Sequence, residues 1–218
     1  TWDEFLALCE RIKAAGVAPI AFQGRYPSYA QGLIFHTYYH QAGPEALASQ
    51  LRIEPGSFDN PELVEALRLV QTASVNYFQP GAMGMSHTEA QMQFLLGNTA
   101  MVFCGTWLKS EMTGKFPDGF RLGTFNLPIV PAGKSDPTAI QGGTNFYVVF
   151  KNSRHPDEAV EFLRFMTSRR MAGEFARQRD FPVAVRGANE GNLSADLDEL
   201  IAVIDAARTG YSVVPQEG

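Results

Sequence analysis

Twice in the first half of this chain the same unit occurs: a capping box, an apolar stripe at helical spacing, a glycine stop and a short apolar run. TWDE at 1–4 opens the first unit. The Thr1 hydroxyl can accept a backbone N–H while the Glu4 carboxylate reaches back to the cap. Trp2, Phe5, Leu6, Cys9 and Ile12 follow at helical spacing, Gly16 closes the helix, and APIAF at 18–22 reads as a strand. Ser86 and Glu89 open the second unit, Gly97 closes it, and residues 100–104 read as the next strand. Amphipathic helices that alternate with short strands bury their stripes on a sheet, so the predicted class is α/β.

The remaining chain continues the pattern. QGRYPS at 23–28 is a loop, and 29–41 is helical and rich in aromatics. Asn60 and Pro61 start a helix with Leu63, Val64, Leu67 and Val70 as its stripe. Residues 120–126 read as a strand, and PIVPAGKSDP at 128–137 as a polar, Pro-rich connection and the best internal boundary. A strand is expected at 146–150, helices from Pro156 and from about Ser168, a loop at 180–183, and a last helix capped by Ser194.

A chain of 218 residues, 45% hydrophobic and 19% charged, can build one large domain or two small ones. Its net charge of −5 and pI near 5.4 argue against a nucleic-acid partner, which needs a basic surface to replace counterions. No apolar run reaches the ~18 residues of a membrane span. The start at Thr1 without Met, directly in a helix signal, predicts an internal piece of a longer protein. Cys9 and Cys104 have no metal or redox spacing and read as small buried hydrophobes, with a disulfide left open.

Familiar catalytic signals are missing. His36 and His40 are spaced i, i+4 but lack the glutamate of HExxH and a third ligand, so they read as packing or surface histidines. GGTN at 142–145 is no P-loop, and no GxSxG elbow is present. Scattered carboxylates nominate no acid/base pair. What recurs is aromatic and small polar residues at strand ends and in loops: Tyr26, Ser28 and Tyr29 after the first strand, and Trp107 after the strand at 100–104. Ligands of open α/β sheets bind outside the carboxyl ends of strands. Trp107 therefore has two readings, a flat apolar surface for a sugar face or a core lid.

Four segments in order carry a resemblance. They are TWDEFLALCERIKAAGVAPIAF at 1–22, FLLGNTAMVFCGTW at 94–107, QGGTNFYVVF at 141–150 and KNSRHPDEAVEFLRFM at 151–166. Together they resemble the bacterial extracellular solute-binding proteins of family 1, the maltose-binding-protein-like components of ABC sugar importers. The resemblance implies a type II periplasmic binding protein fold of two α/β lobes around a cleft. It assigns residues 1–138 to the second lobe, 139–179 to a segment returning to the first, and 180–218 to the second again. The first part of the first lobe and the C-terminal end are expected to lie outside this chain.

The resemblance also implies a role. The protein would bind an extracellular solute, a mono- or oligosaccharide, and deliver it to a membrane permease. Glycerol phosphate, a polyamine or another polar solute is the alternative cargo, and a carbohydrate-active enzyme the alternative function. No enzyme activity, cofactor, metal or nucleic acid is implied. A monomer is expected in the periplasm or outside the cell, with a lipid anchor compatible. Matching positions nominate Trp107 as the stacking aromatic; Arg25, Tyr26, Ser28 and Tyr29 in a contact loop; Gly143, Thr144 and Asn145 at a cleft-edge turn; and Phe181 and Pro182 in a second-lobe loop. Arg25 would suit an anionic ligand. Ser28 and Tyr26 stand where the maltose-type pattern has an aromatic and a carboxylate, which implies a cargo unlike maltose.

Overall fold

The computed structural model describes residues 1–142 and 147–213. Helix α1 (Trp2–Ala14) starts on the expected capping box, in which the Thr1 hydroxyl accepts from the Glu4 N–H at 3.4 Å. Strand β1 (Ala18–Ala21) follows, then α2 (Pro27–Ala42), α3 (Pro44–Leu51) and α4 (Pro61–Tyr77). Next come α5 (His87–Leu95), β2 (Thr99–Val102) and the single turn α6 (Leu108–Glu111). Strand β3 (Ile140–Gln141), α7 (Pro156–Met166), α8 (Arg169–Arg179), α9 (Asp198–Ala206) and β4 (Gly210–Tyr211) complete the described elements.

The two capped units meet in one sheet. β1 and β2 pair in parallel, with Ala18 opposite Thr99 and Ile20 opposite Met101. On its other edge β1 is covered by the chain after α4: Ile20 bridges Phe78, and the Gln79 N–H donates to the Ile20 carbonyl at 2.9 Å. The Gln79 side chain then imitates a strand. Its Oε1 accepts the Phe22 N–H at 2.7 Å and its Nε2 donates to the Phe22 carbonyl at 3.1 Å. A second parallel pair, β3 with β4, joins Ile140 to Gly210 and Gln141 to Tyr211.

Helix α2 is the centre of the molecule. It carries no Asp, Glu, Lys or Arg, and Leu33, His36, Thr37, Tyr38, Tyr39 and His40 are all buried. A helix without a charged face has no side to give to water, so neighbours cover it. Trp2, Phe22, Leu33, Val70, Ala73 and Ala82 form one core, and Tyr38, Tyr39, Leu47, Leu63, Ala66 and Ala139 the next. The histidines at i, i+4 belong to this interior. Their rings lie 4.5 Å apart, His36 Nδ1 bonds the Tyr211 hydroxyl, and His40 Nδ1 bonds Ser135 Oγ at 2.7 Å. Cys9 is buried and Cys104 half-buried, and both are free thiols.

Several local expectations are corrected. α2 begins at Pro27, two residues before the predicted start, because proline suits the first helical position. The buried stripe of α4 is Leu63, Ala66, Val70, Ala73 and Tyr77, while Val64 and Leu67 face water. Residues 120–126 form no strand: Phe120 and Leu122 pack on Leu95, Leu108 and Met112, and the Thr124 N–H donates to Glu199 at 2.8 Å. Side chains have taken the role of a ladder there. Residues 147–150 are also irregular, with Tyr147, Val148 and Phe150 exposed and no strand beside them among the described residues. Ser194 takes the N-cap position of a 3-10 turn (Ala195–Leu197) rather than of α9, and without a side-chain cap bond: its N–H and hydroxyl both donate to Asp180, and α9 begins four residues later. α3 had no separate expectation. Among the described residues no helix is long and apolar enough to cross a membrane.

Candidate functional site

The loop after β1 and the turn after β2 rise from the same ends of paired strands, so their side chains converge. Gly24 is what allows the first loop to lie flat. A Cβ at Gly24 would come within 2.5 Å of Met83 Cα and 2.9 Å of the Ala82 carbonyl oxygen, and no backbone atom there can yield. With glycine in place, the Gly24 N–H donates to Ala82 O at 2.9 Å and the Arg25 N–H to Met85 O at 3.1 Å. The loop is thus fastened to residues 82–85 before it enters α2.

An aromatic series runs outward from this fastening. Phe78 stacks on Phe22 at 4.3 Å, and Phe22 on Phe103 at 6.2 Å. Tyr29 meets Phe103 edge-on at 6.3 Å and Tyr26 at 6.4 Å. Tyr26 then stacks on His87 at 5.4 Å. The inner members are core and the outer ones are not: Tyr26 is 38% exposed. Rings held by rings lose little entropy on binding a flat ligand.

Trp107 takes the N-cap position of α6 and is 37% exposed. Its six-membered ring lies directly on Gly105, where any Cβ would overlap it. The glycine that ends the apolar run therefore seats the indole as well. Burial pushes the Tyr29 phenol up to about 12; Cys104 and Glu111 push the same way, and the nearby Trp107 and Gln23 act against them.

The structure brings Tyr26, Tyr29 and Trp107 into one neighbourhood. Ser28 lies exposed in the first turn of α2. Arg25 is exposed; hydrogen bonds from Ser86 hold the Glu89 carboxyl of the α5 capping box low, and the Arg25 charge adds to this in the same direction. Phe181 meets Phe175 edge-on at 6.3 Å and its N–H donates to Ala176, so its contacts belong to α8; Pro182 follows it half-buried. Gly143, Thr144 and Asn145 lie outside the described residues.

Two residues of this neighbourhood were not singled out from sequence. Glu111, exposed, stands one helical turn after Trp107. Gln91, only 1% exposed, donates through Nε2 to Glu111 Oε2 at 2.8 Å and to Cys104 Sγ at 3.4 Å. The i, i+4 spacing from Trp107 was the available signal for Glu111. Gln91 sits in α5 among apolar neighbours and gave none. Among the described residues no group of three or more His, Cys, Asp or Glu side chains is arranged to hold a metal ion.

Comparison with known proteins bears on what such a site does. The sequence model described as bacterial extracellular solute-binding protein matches residues 1–172. The chain is similar to the multiple sugar-binding protein of Streptococcus mutans, 27% identical over 201 residues, which cover 87% of this chain and 46% of the relative. It is also similar to the diacetylchitobiose binding protein NgcE of Streptomyces coelicolor, 24% identical over 216 residues, 96% of this chain and 46% of that one. In three dimensions it matches a solved chitin oligosaccharide binding protein with a TM-score of 0.77 at 22% identity, covering 98% of this chain and 54% of the other. This likeness bears out the type II α/β fold. The chain spans about half the length of the curated relatives it matches.

Proposed function

The chain belongs to the bacterial extracellular solute-binding proteins, and on that footing we propose that it forms part of a receptor that captures a sugar outside the cytoplasm for an ABC importer. The observation that carries the cargo class is the half-exposed indole of Trp107 seated on Gly105 beside Tyr29. A pyranose presents an apolar C–H face and a rim of hydroxyls. A fixed indole matches the face, and the neighbouring polar side chains match the rim.

Other cargoes are less well served. A polyamine needs several converging carboxylates; Asp180 is engaged by Ser194 at 2.8 and 2.6 Å, which leaves Glu111, one turn after Trp107, as a single acid there. An anion would draw on Arg25 alone, the one basic residue among the nominated positions. The named relatives bind sugars or chitin oligosaccharides, which supports a saccharide here too.

Residues 1–138 and 180–218 then belong to one lobe, and 139–179 to a segment of the other. The side-by-side pair β3–β4 supports a crossing at 140–141. So does α7, which buries no residue and leaves Val160, Phe162 and Phe165 exposed. The whole receptor works as a monomer in the periplasm or at the cell surface, closes its lobes on the ligand by a hinge motion and docks on a permease; no bond is made or broken.

A thermal-shift screen of the full-length protein against saccharides, polyol phosphates and polyamines tests the cargo, since a ligand of the folded state raises its melting temperature. A saccharide hit is expected, with Trp107→Ala lowering its affinity at least tenfold. A polyamine hit with no saccharide hit would sink the sugar reading, and unchanged affinity in Trp107→Ala would return the indole to a packing role.

A further inference from the structure

We propose that Glu111 is the specificity-determining residue of this site, accepting hydroxyls of a neutral saccharide stacked on Trp107 and excluding acidic ones. The inference rests on the sugar reading above and narrows it to uncharged sugars.

The first support is position. Trp107 and Glu111 bracket a single helical turn, with the Glu111 N–H donating to the Trp107 carbonyl at 2.9 Å. Residues four apart in a helix share a face, so Trp107 and Glu111 lie on one side of the turn. Gln91 ties the two together: its amide reaches Glu111 at 2.8 Å and, at 3.4 Å, Cys104, the neighbour of the Gly105 on which the indole sits. Indole and carboxylate therefore border one spot.

The second support is how the carboxylate is held. Gln91 is buried, and its Nε2 is committed to Glu111 Oε2 and Cys104 Sγ. Its Oε1 is buried with no hydrogen-bond partner. Turning the amide over would set Oε1 against the carboxylate, so the donor must face Glu111. A buried amide thus fixes the direction of an exposed acid while leaving its other oxygen open. Among the described residues no Lys, Arg or His forms an ion pair with Glu111. Its acceptor capacity is free for a ligand.

The third support is chemical fit. An ionised carboxylate accepts only, and sugar hydroxyls beside a stacked face are donors at the rim. Hydrogen bonds to a charged acceptor are about twice as strong as neutral ones, so one oriented acid carries a large share of recognition. The same charge, in a site walled by rings, repels a uronate or phosphate.

The test is calorimetric titration of the full-length protein with raffinose, N,N′-diacetylchitobiose, xylobiose and the acidic disaccharide aldobiouronic acid. Wild type is compared with Glu111→Gln, Glu111→Asp and Trp107→Ala, with melting curves for each. Glu111→Gln is expected to weaken the best neutral ligand at least tenfold and to narrow the neutral-over-acidic preference by a similar factor. Glu111→Asp keeps the charge and is expected to keep the preference while losing affinity. If Glu111→Gln binds neutral sugar like wild type while Trp107→Ala does not, the assignment of Glu111 is wrong and the sugar reading stands. If wild type binds none of the neutral sugars, both fail.

Discussion

Gly105 shows how one missing carbon can decide a surface. It has no left-handed backbone to justify it, so its role is steric: the indole of Trp107 occupies the volume a side chain would need. Gly105→Ala must displace the ring, because the alternative is interpenetration. Overpacking of this kind costs about 1–3 kcal/mol. The expected outcome is a lower melting temperature together with a loss of sugar affinity of about tenfold, the misplacement falling on the ring proposed to stack on the ligand. Titration of the variant checks this, and wild-type affinity in Gly105→Ala would show that the seat is not what aims the indole. At this scale the sequence was informative but ambiguous. The GTW stretch at 105–107 showed a break and an aromatic past it, yet only the fold places Tyr29 and Glu111 beside them. Gln91 was invisible, because a glutamine inside a helix says nothing of which partner its amide meets.

Among the elements, α2 carries the most testable consequence. Burial is the main cause that lowers His36 to about 3, helped by the neighbouring His40 and opposed by the Leu127 and Pro128 carbonyls. Burial likewise lowers His40 to about 4, with Asp136 acting against it. Both histidines are therefore neutral in the fold at pH values where the unfolded chain, near 6.5, already takes up protons. With more protons bound by the unfolded state, stability rises with pH through this window. It is fully present above 6.5 and lost as pH falls towards 4. Urea midpoints at pH 7 and pH 5 are expected to separate further for wild type than for His40→Gln. Equal separation would mean that other groups govern acid sensitivity. Element by element, the capping boxes at Thr1 and Ser86 and the cap at Asn60 were legible because their partners lie three residues away. The strands expected at 120–126 and 146–150 were not, because a strand needs a neighbour and composition cannot supply one. At 120–126 the apolar alternation serves packing around Leu108 instead.

For the molecule as a whole, the stretch from 147 to 175 exposes Tyr147, Val148, Phe150, Val160, Phe162, Phe165 and Phe175, and α7 within it buries no residue. On the two-lobe reading proposed above, this stretch packs on the rest of the protein. Residues 1–218 prepared alone are accordingly expected to bind a hydrophobic dye strongly and to show weak or undetectable sugar affinity. The full-length protein is expected to show neither property, and comparison of the two by dye fluorescence and titration decides it. Where the sheet is concerned, the molecule is better protected. One edge of β1 is taken by β2 and the other by Phe78 and Gln79, whose amide occupies both peptide groups of Phe22. A strand from a second molecule finds no free donor or acceptor at Phe22, so Gln79 is also a guard against edge-to-edge aggregation.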